Sequence, residues 1–228
     1  MPAQRDGLLA HIRADSALAA DIAAFPASPW SRRLDVIKRV MALECEVNGV
    51  TTPPLVIHDE DDSGREAFFE FDPDKPSTGI VHLWPKSLAT EPSPYAALLF
   101  AVHETRHSWQ FQTAFGTSPQ SGDVVLRSGF AAGFRAQKAL SHRLGFCDFC
   151  TMQHEHEAFQ TGNYIVGALT GWSVKTEGMG CWSSQFDASG RLRIDLKALA
   201  SQVGSAQLLS AFNEKEKGQF VEMGGTAP

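Results

Sequence analysis

The sequence predicts an α+β fold, mostly helical, with one small and mostly antiparallel sheet. Three observations carry this. Apolar residues recur at helical spacing over most of the chain. Three short runs with strand character crowd between residues 55 and 84. The stretch from Tyr95 to Val102 is almost wholly apolar, and no Gly or Pro follows it until Gly116, so it reads as a buried helix.

Length and charge narrow the classes. A chain of 228 residues, 43% hydrophobic and 20% charged, suits one globular domain. We divide it into a helical layer at 1–50, a core at 54–170 and an extension at 171–228. The net charge of −6 argues against a basic face for nucleic acid. No apolar run approaches the length of a membrane span. Residues 1–22 mix apolar and charged positions without a signal-peptide core, so a cytoplasmic location is expected, with specialised export left open. Cys45, Cys147, Cys150 and Cys181 are too few for a disulfide scaffold. Cys147 and Cys150 form a lone C-x-x-C that fits no standard zinc finger and are read as ordinary thiols or an incidental disulfide.

Arg5 to Ala24 reads as the first helix, ended by Phe25-Pro26. Ser28-Pro29 reads as a cap followed by proline in the first turn, opening a helix to about Glu46 through Leu34, Ile37, Met41 and Cys45. The strand candidates are 55–58, 67–71 and 79–84, separated by acidic turns containing Gly or Pro. Ser93-Pro94 then reads as the cap and first residue of the central helix. Helices are expected at 123–144 and from Thr151 to about Leu169, followed by a weakly patterned region and one or two short helices within 195–212.

The central helix carries His103-Glu104-x-x-His107. Two histidines four apart on a helix point the same way, one turn apart, and both imidazoles can hold one metal ion. Glu104, beside the first ligand, is placed to act as general base. Zinc-assisted hydrolysis needs this arrangement. A bound Zn2+ needs a third protein ligand. His154-Glu155-His156-Glu157, on a later predicted helix, supplies four candidates. Glu155 shares a face with Met152, Phe159, Gly162, Val166 and Leu169, which should pack inward. Glu157 lies on a more polar face with Cys150, His154, Thr161 and Tyr164. Glu155 is therefore the chosen ligand, Glu157 the second choice, and a solvated charged run the alternative for all four.

His103-Glu104-x-Arg106-His107-x-x-Gln110, followed by Glu155-x-Glu157-Ala158-Phe159, resembles the gluzincin branch of the zincin metallopeptidases. The closer likeness is to predicted bacterial zincin domains, several of which occur in secreted toxins and phage-associated proteins, that read His-Glu-x-Arg-His-x-x-Gln and later Glu-x-Glu-Ala-aromatic. The likeness covers roughly residues 80 to 166. It implies a zincin-like fold, a His, His, Glu zinc site and hydrolysis of a protein or peptide substrate. Many gluzincins carry an Asp shortly after the ligand Glu to orient a zinc-bound His; this chain has Phe159 four residues after Glu155. Such peptidases commonly hold substrate as an added strand on a sheet edge, and 79–84 is the expected edge. Tyr164, His156, His82 and Arg106 are the candidate donors to a developing oxyanion. Arg106, facing away from the two histidines, is expected to pair with an acid, and Trp109 to be core. Two other readings remain open: a non-catalytic zinc protein on the same fold, and an amidase acting on a non-peptide substrate.

Overall fold

The computed structural model describes residues 2–59, 64–116, 124–140, 153–171 and 196–203, with isolated positions at 194, 211, 214, 215 and 218. It is a mostly helical α+β arrangement with a three-stranded sheet. The helices are α1 (Pro2–Ala14), α2 (Ser16–Ala23), α3 (Trp30–Asn48), the one-turn α4 (Pro85–Leu88), α5 (Ala96–Phe115), α6 (Val124–Lys138), α7 (Gln153–Leu169) and α8 (Leu196–Gln202). The strands are β1 (Leu55–Ile57), β2 (Ala67–Glu70) and β3 (Ile80–Leu83). Among the described residues no helix is long and apolar enough to cross a membrane.

The first expected helix is two. Asp15 leaves helical geometry at φ −88° and ψ 91°, and its carboxylate accepts the Leu18 N–H at 3.0 Å. A side chain that caps the next turn competes with continuing the helix through its own position. The other starts also shift. Ser28 bonds back to the Ala24 carbonyl and leaves Pro29 at the N-cap of α3. α5 begins at Ala96, without a side-chain cap, rather than at Pro94.

Strand order is β1-β3-β2. β1 runs parallel to β3, pairing Val56 with His82, and β2 runs antiparallel, pairing Phe68 with His82. The sheet is therefore mixed, and β3 is its central strand. This overturns the expectation that 79–84 offers a free edge, because both sides of β3 are occupied. The edge toward the interior helices belongs to β2. Gly79 sets up this packing. Its φ is +68°, and a Cβ there would overlap the Phe69 ring. That ring lies 6.0 Å from His107, centroid to centroid.

α5 runs through the middle, against α3, α6, α7, β2 and β3. It is buried on nearly every side, including Arg106, Ser108 and Gln110. A helix buried all round must find partners for each polar side chain it carries. Those partners organise the site.

Candidate metal centre

α5 and α7 face each other, and three side chains meet between them. His103 Nε2 and His107 Nε2 are 3.0 Å apart, as one helical turn predicts. Glu155 Oε2 lies 2.9 Å from His107 Nε2 and 3.4 Å from His103 Nε2. All three residues are buried, and among the described residues theirs is the one group of three arranged to hold a metal ion. Tetrahedral zinc with bonds of ~2.0–2.1 Å separates its donors by about 3.3 Å, so these spacings fit. The donor set fits as well: two imidazoles and a carboxylate leave a fourth position open.

The electrostatics favour a cation at the same point. Burial would lower the His107 pKa, but Glu155 outweighs it and lifts the pKa to about 9. His103 is pushed down to about 4 by burial and by His107. Glu155, despite its burial, is held well below the usual carboxylate range by the histidines. The triad matches the gluzincin-type metallopeptidase motif. A comparison with protein-family models, curated proteins and solved structures finds no match.

The rest of the motif forms a wired support. Gln110 Nε2 donates to the His154 carbonyl at 2.9 Å and to Glu157 Oε2 at 2.5 Å. Its Oε1 is then the acceptor for His107 Nδ1–H, 2.8 Å away. That keeps a proton on Nδ1, so Nε2, which faces Glu155 at 2.9 Å, is the nitrogen that can give up its proton and serve as a ligand. Glu157 in turn is gripped by Arg106, whose Nε lies 2.9 and 3.0 Å from the two carboxylate oxygens and whose Nη2 lies 2.7 Å from Oε1. The guanidinium stacks 3.7 Å over Trp109. Arg106 thus pairs with an acid, as expected, and Trp109 is core. Glu157 does not face solvent: every residue from His154 to Thr161 is buried, which removes the solvated-run alternative. The two glutamates differ in what they meet. Glu155 meets histidines, and Glu157 meets an arginine.

The second oxygen of Glu155 is held from α6. Gln137 Nε2 donates to Glu155 Oε1 at 2.9 Å, and Gln137 Oε1 lies 2.9 Å from His154 Nε2. With its amide nitrogen committed to the carboxylate, Gln137 accepts from His154 Nε2–H. His154 Nδ1 is then a bare, buried nitrogen with no hydrogen-bond partner among the described residues. Burial pushes the His154 pKa down to about 3, which suits that neutral tautomer. Sequence reasoning does not single out Gln137, since a glutamine near the end of a separate helix carries no spacing signal.

His103 has no such support. Its Nδ1 is buried without a partner among the described residues, and the Phe159 ring packs against it at 4.1 Å between centroids. Phe159, standing where many gluzincins have an Asp, holds this imidazole by contact rather than by a hydrogen bond.

A cavity of about 570 Å³ opens beside the triad. Its walls include Glu104, Gln137, Arg65, the edge strand from Ala67 to Phe69, and an apolar patch of Phe71, Phe100, Phe134, Leu140 and Phe159. Glu104 is buried, and burial pushes its carboxyl up to about 8 against the pull of His107. Of the four expected oxyanion donors none lines this cavity. Arg106 is bound to Glu157. The Tyr164 hydroxyl donates to Asp6 at 3.0 Å. His156 sits 2.5 Å from Gln160, and His82 lies on the opposite face of the sheet from buried Val81 and Leu83. Cys147, Cys150 and Cys181 lie outside the described residues, and Cys45 is a buried free thiol pushed up to about 12 by its burial.

Proposed function

We propose that this chain is a zinc-dependent metallopeptidase that cleaves peptide bonds in the cleft between α5, α7 and β2. The reading rests on one observation: His103, His107 and Glu155 converge at the wall of a largely apolar cavity that Glu104 also lines. His103 and His107 supply imidazole nitrogens and Glu155 a carboxylate oxygen to one Zn2+. Zinc, when bound, acidifies water and polarises a carbonyl. Beside a bound dication the Glu104 carboxyl would be held ionised; it takes the water proton on a carboxylate oxygen and returns it to the departing amine. Gln110 and Gln137 hold the ligands His107 and Glu155 in orientation. The phenylalanines keep water out of the rest of the cleft. The substrate lies along the edge of β2 that faces away from β3, where backbone groups can pair with an extended peptide.

A purely structural zinc site has no use for a carboxyl beside it that is not a ligand, and Glu104 is such a carboxyl. Among the described residues β2 pairs only with β3, and such an edge flanking the cleft favours a peptide over a small non-peptide amide. The decisive test is Glu104→Gln, which keeps size and removes the base. Zinc content and melting temperature should stay near wild type, while peptide hydrolysis falls by at least roughly 10²-fold. Equal turnover at matched zinc occupancy would overturn the reading.

A further inference from the structure

The cleft has two unlike ends. Strand alternation turns Ala67 and Phe69 of β2 inward, and Phe71 follows on the same face. Phe69 lies beside the triad, 6.0 Å from His107 between ring centroids. Further along, Phe71 meets Phe134 at 4.9 Å and Phe111 at 5.9 Å, and Phe134 meets Phe111 at 5.2 Å. These three rings fill the space between the end of β2, α5 and α6. Lys138 of α6 adds a tie there, bonding to Asp72 and, at 2.8 Å, to Asp74 in the turn after β2. The other end of the cavity is lined by Gly64 and Arg65, both exposed.

A peptide laid along β2 advances ~3.4 Å per residue. From Phe69, beside the triad, to the wall at Phe71 it has room for one or two residues. The rest of the peptide runs the other way, past Ala67 toward Gly64. Antiparallel pairing is the more stable alignment of two strands. β2 runs from Ala67 to Glu70, so an antiparallel partner has its amino end at the Phe71 wall. The charges agree. Two carboxylates and one ammonium beside the wall leave one negative charge in excess, which favours a terminal ammonium over a terminal carboxylate.

We propose that the cleft takes the amino terminus of a peptide and releases its first one or two residues. The inference rests on the peptidase reading and specifies which bond is cut. The first side chain meets Phe71, Phe134 and Leu140, which favour a bulky apolar residue. A charged side chain would lose its water there without gaining a partner. Water is added across the bond: the released fragment gains the hydroxyl on its carbonyl carbon, and the shortened chain gains the hydrogen on its new amino end.

The test uses one synthetic octapeptide with leucine and phenylalanine at its amino end, prepared free, amino-acetylated and carboxy-amidated. Zinc-loaded wild type should shorten the free and amidated forms stepwise from the amino end, read by mass spectrometry, and cut the acetylated form at least tenfold more slowly. Calorimetric binding to Glu104→Gln, where turnover plays no part, should follow the same order. The double change Asp72→Asn and Asp74→Asn, at exposed positions, should weaken binding of the free form at least threefold and leave the acetylated form unchanged. Internal cleavage by wild type, equal binding of free and acetylated forms, or sensitivity to amidation in place of acetylation would overturn the proposal. Failure of the peptidase reading shows separately, as equal turnover in wild type and Glu104→Gln.

Discussion

Glu155 and Glu157 are two residues apart and both buried, yet removing them should break different things. Glu157→Ala strands Arg106, which is 1% exposed and has its guanidinium bonded to both carboxylate oxygens. Breaking one partner out of a buried ion pair typically costs about 3–5 kcal/mol, because the surviving charge stays desolvated. For a chain of this size each kcal/mol moves the melting temperature by roughly 2–4 °C, so a drop of roughly 6–20 °C is expected. The folded protein should still take up zinc. Its affinity should fall by no more than the roughly 10–100-fold seen on losing a partner of a ligand, since Gln110 loses the acceptor that helps hold it against His107. Glu155→Ala should do the reverse. It removes a ligand outright, so zinc affinity should fall further than in Glu157→Ala, while the metal-free protein melts closer to wild type. Zinc competition against a chromophoric chelator, beside thermal melts with and without metal, reads both quantities. If Glu157→Ala lost more zinc affinity than Glu155→Ala, the assignment of the two glutamates would be wrong.

Three further outcomes follow from the same geometry. A Cβ at Gly133 would sit 2.5 Å from His154 Nδ1, so Gly133→Ala must push that ring off Gln137 and loosen Glu155; zinc affinity should drop roughly 10–100-fold, and an unchanged affinity would sink the Gln137 support. Gln137→Leu should give a similar loss without the clash, visible as weaker zinc binding with kcat reduced only as far as zinc occupancy falls. Glu44, fully buried with neither carboxylate oxygen hydrogen-bonded among the described residues, is pushed up to about 8 mainly by burial. Between about 4.5 and about 8 the folded state therefore keeps a proton that the unfolded chain has released, and this group lowers stability by roughly 1.4 kcal/mol per pH unit as pH rises; Glu44→Gln should flatten that slope in urea titrations from pH 5 to 9, and parallel wild-type and variant curves would refute it.

What the sequence could show was local. His103, Glu104 and His107 are a spacing on one helix, and helical period ranks Glu155 and Glu157 by face. Arg106 pointing away from the histidines follows from the same wheel, so its acid partner was foreseeable in kind. Strand order was not. β3 is central because β1 joins it in parallel across a connection of more than twenty residues, and nothing local to 79–84 signals that second neighbour. The break at Asp15 was missed because apolar spacing continues across it; only the carboxylate three residues before Leu18 hints at a cap. Gln137 and Gly133 were invisible for another reason. Their roles exist only once α6 is laid against α7.

The polar residues of α5 and α7 raise a question that zinc chemistry alone does not answer. The proposed hydrolysis uses His103, Glu104, His107 and Glu155, yet Arg106, Gln110 and Glu157 are buried just as deeply. An arginine and a glutamate in a core cost more to desolvate than well-packed apolar residues of the same size, so stability does not explain them. Orientation does. Along one chain of bonds Arg106 fixes Glu157, Glu157 fixes the Gln110 amide, and the amide fixes which nitrogen of His107 bears the proton. An apolar core could hold the His107 ring in place but could not choose its tautomer. The wrong tautomer would present an N–H to the metal. This is why the arginine and the second glutamate accompany the ligands here, and why replacing both with hydrophobic residues should raise the melting temperature of the metal-free protein while weakening its hold on zinc.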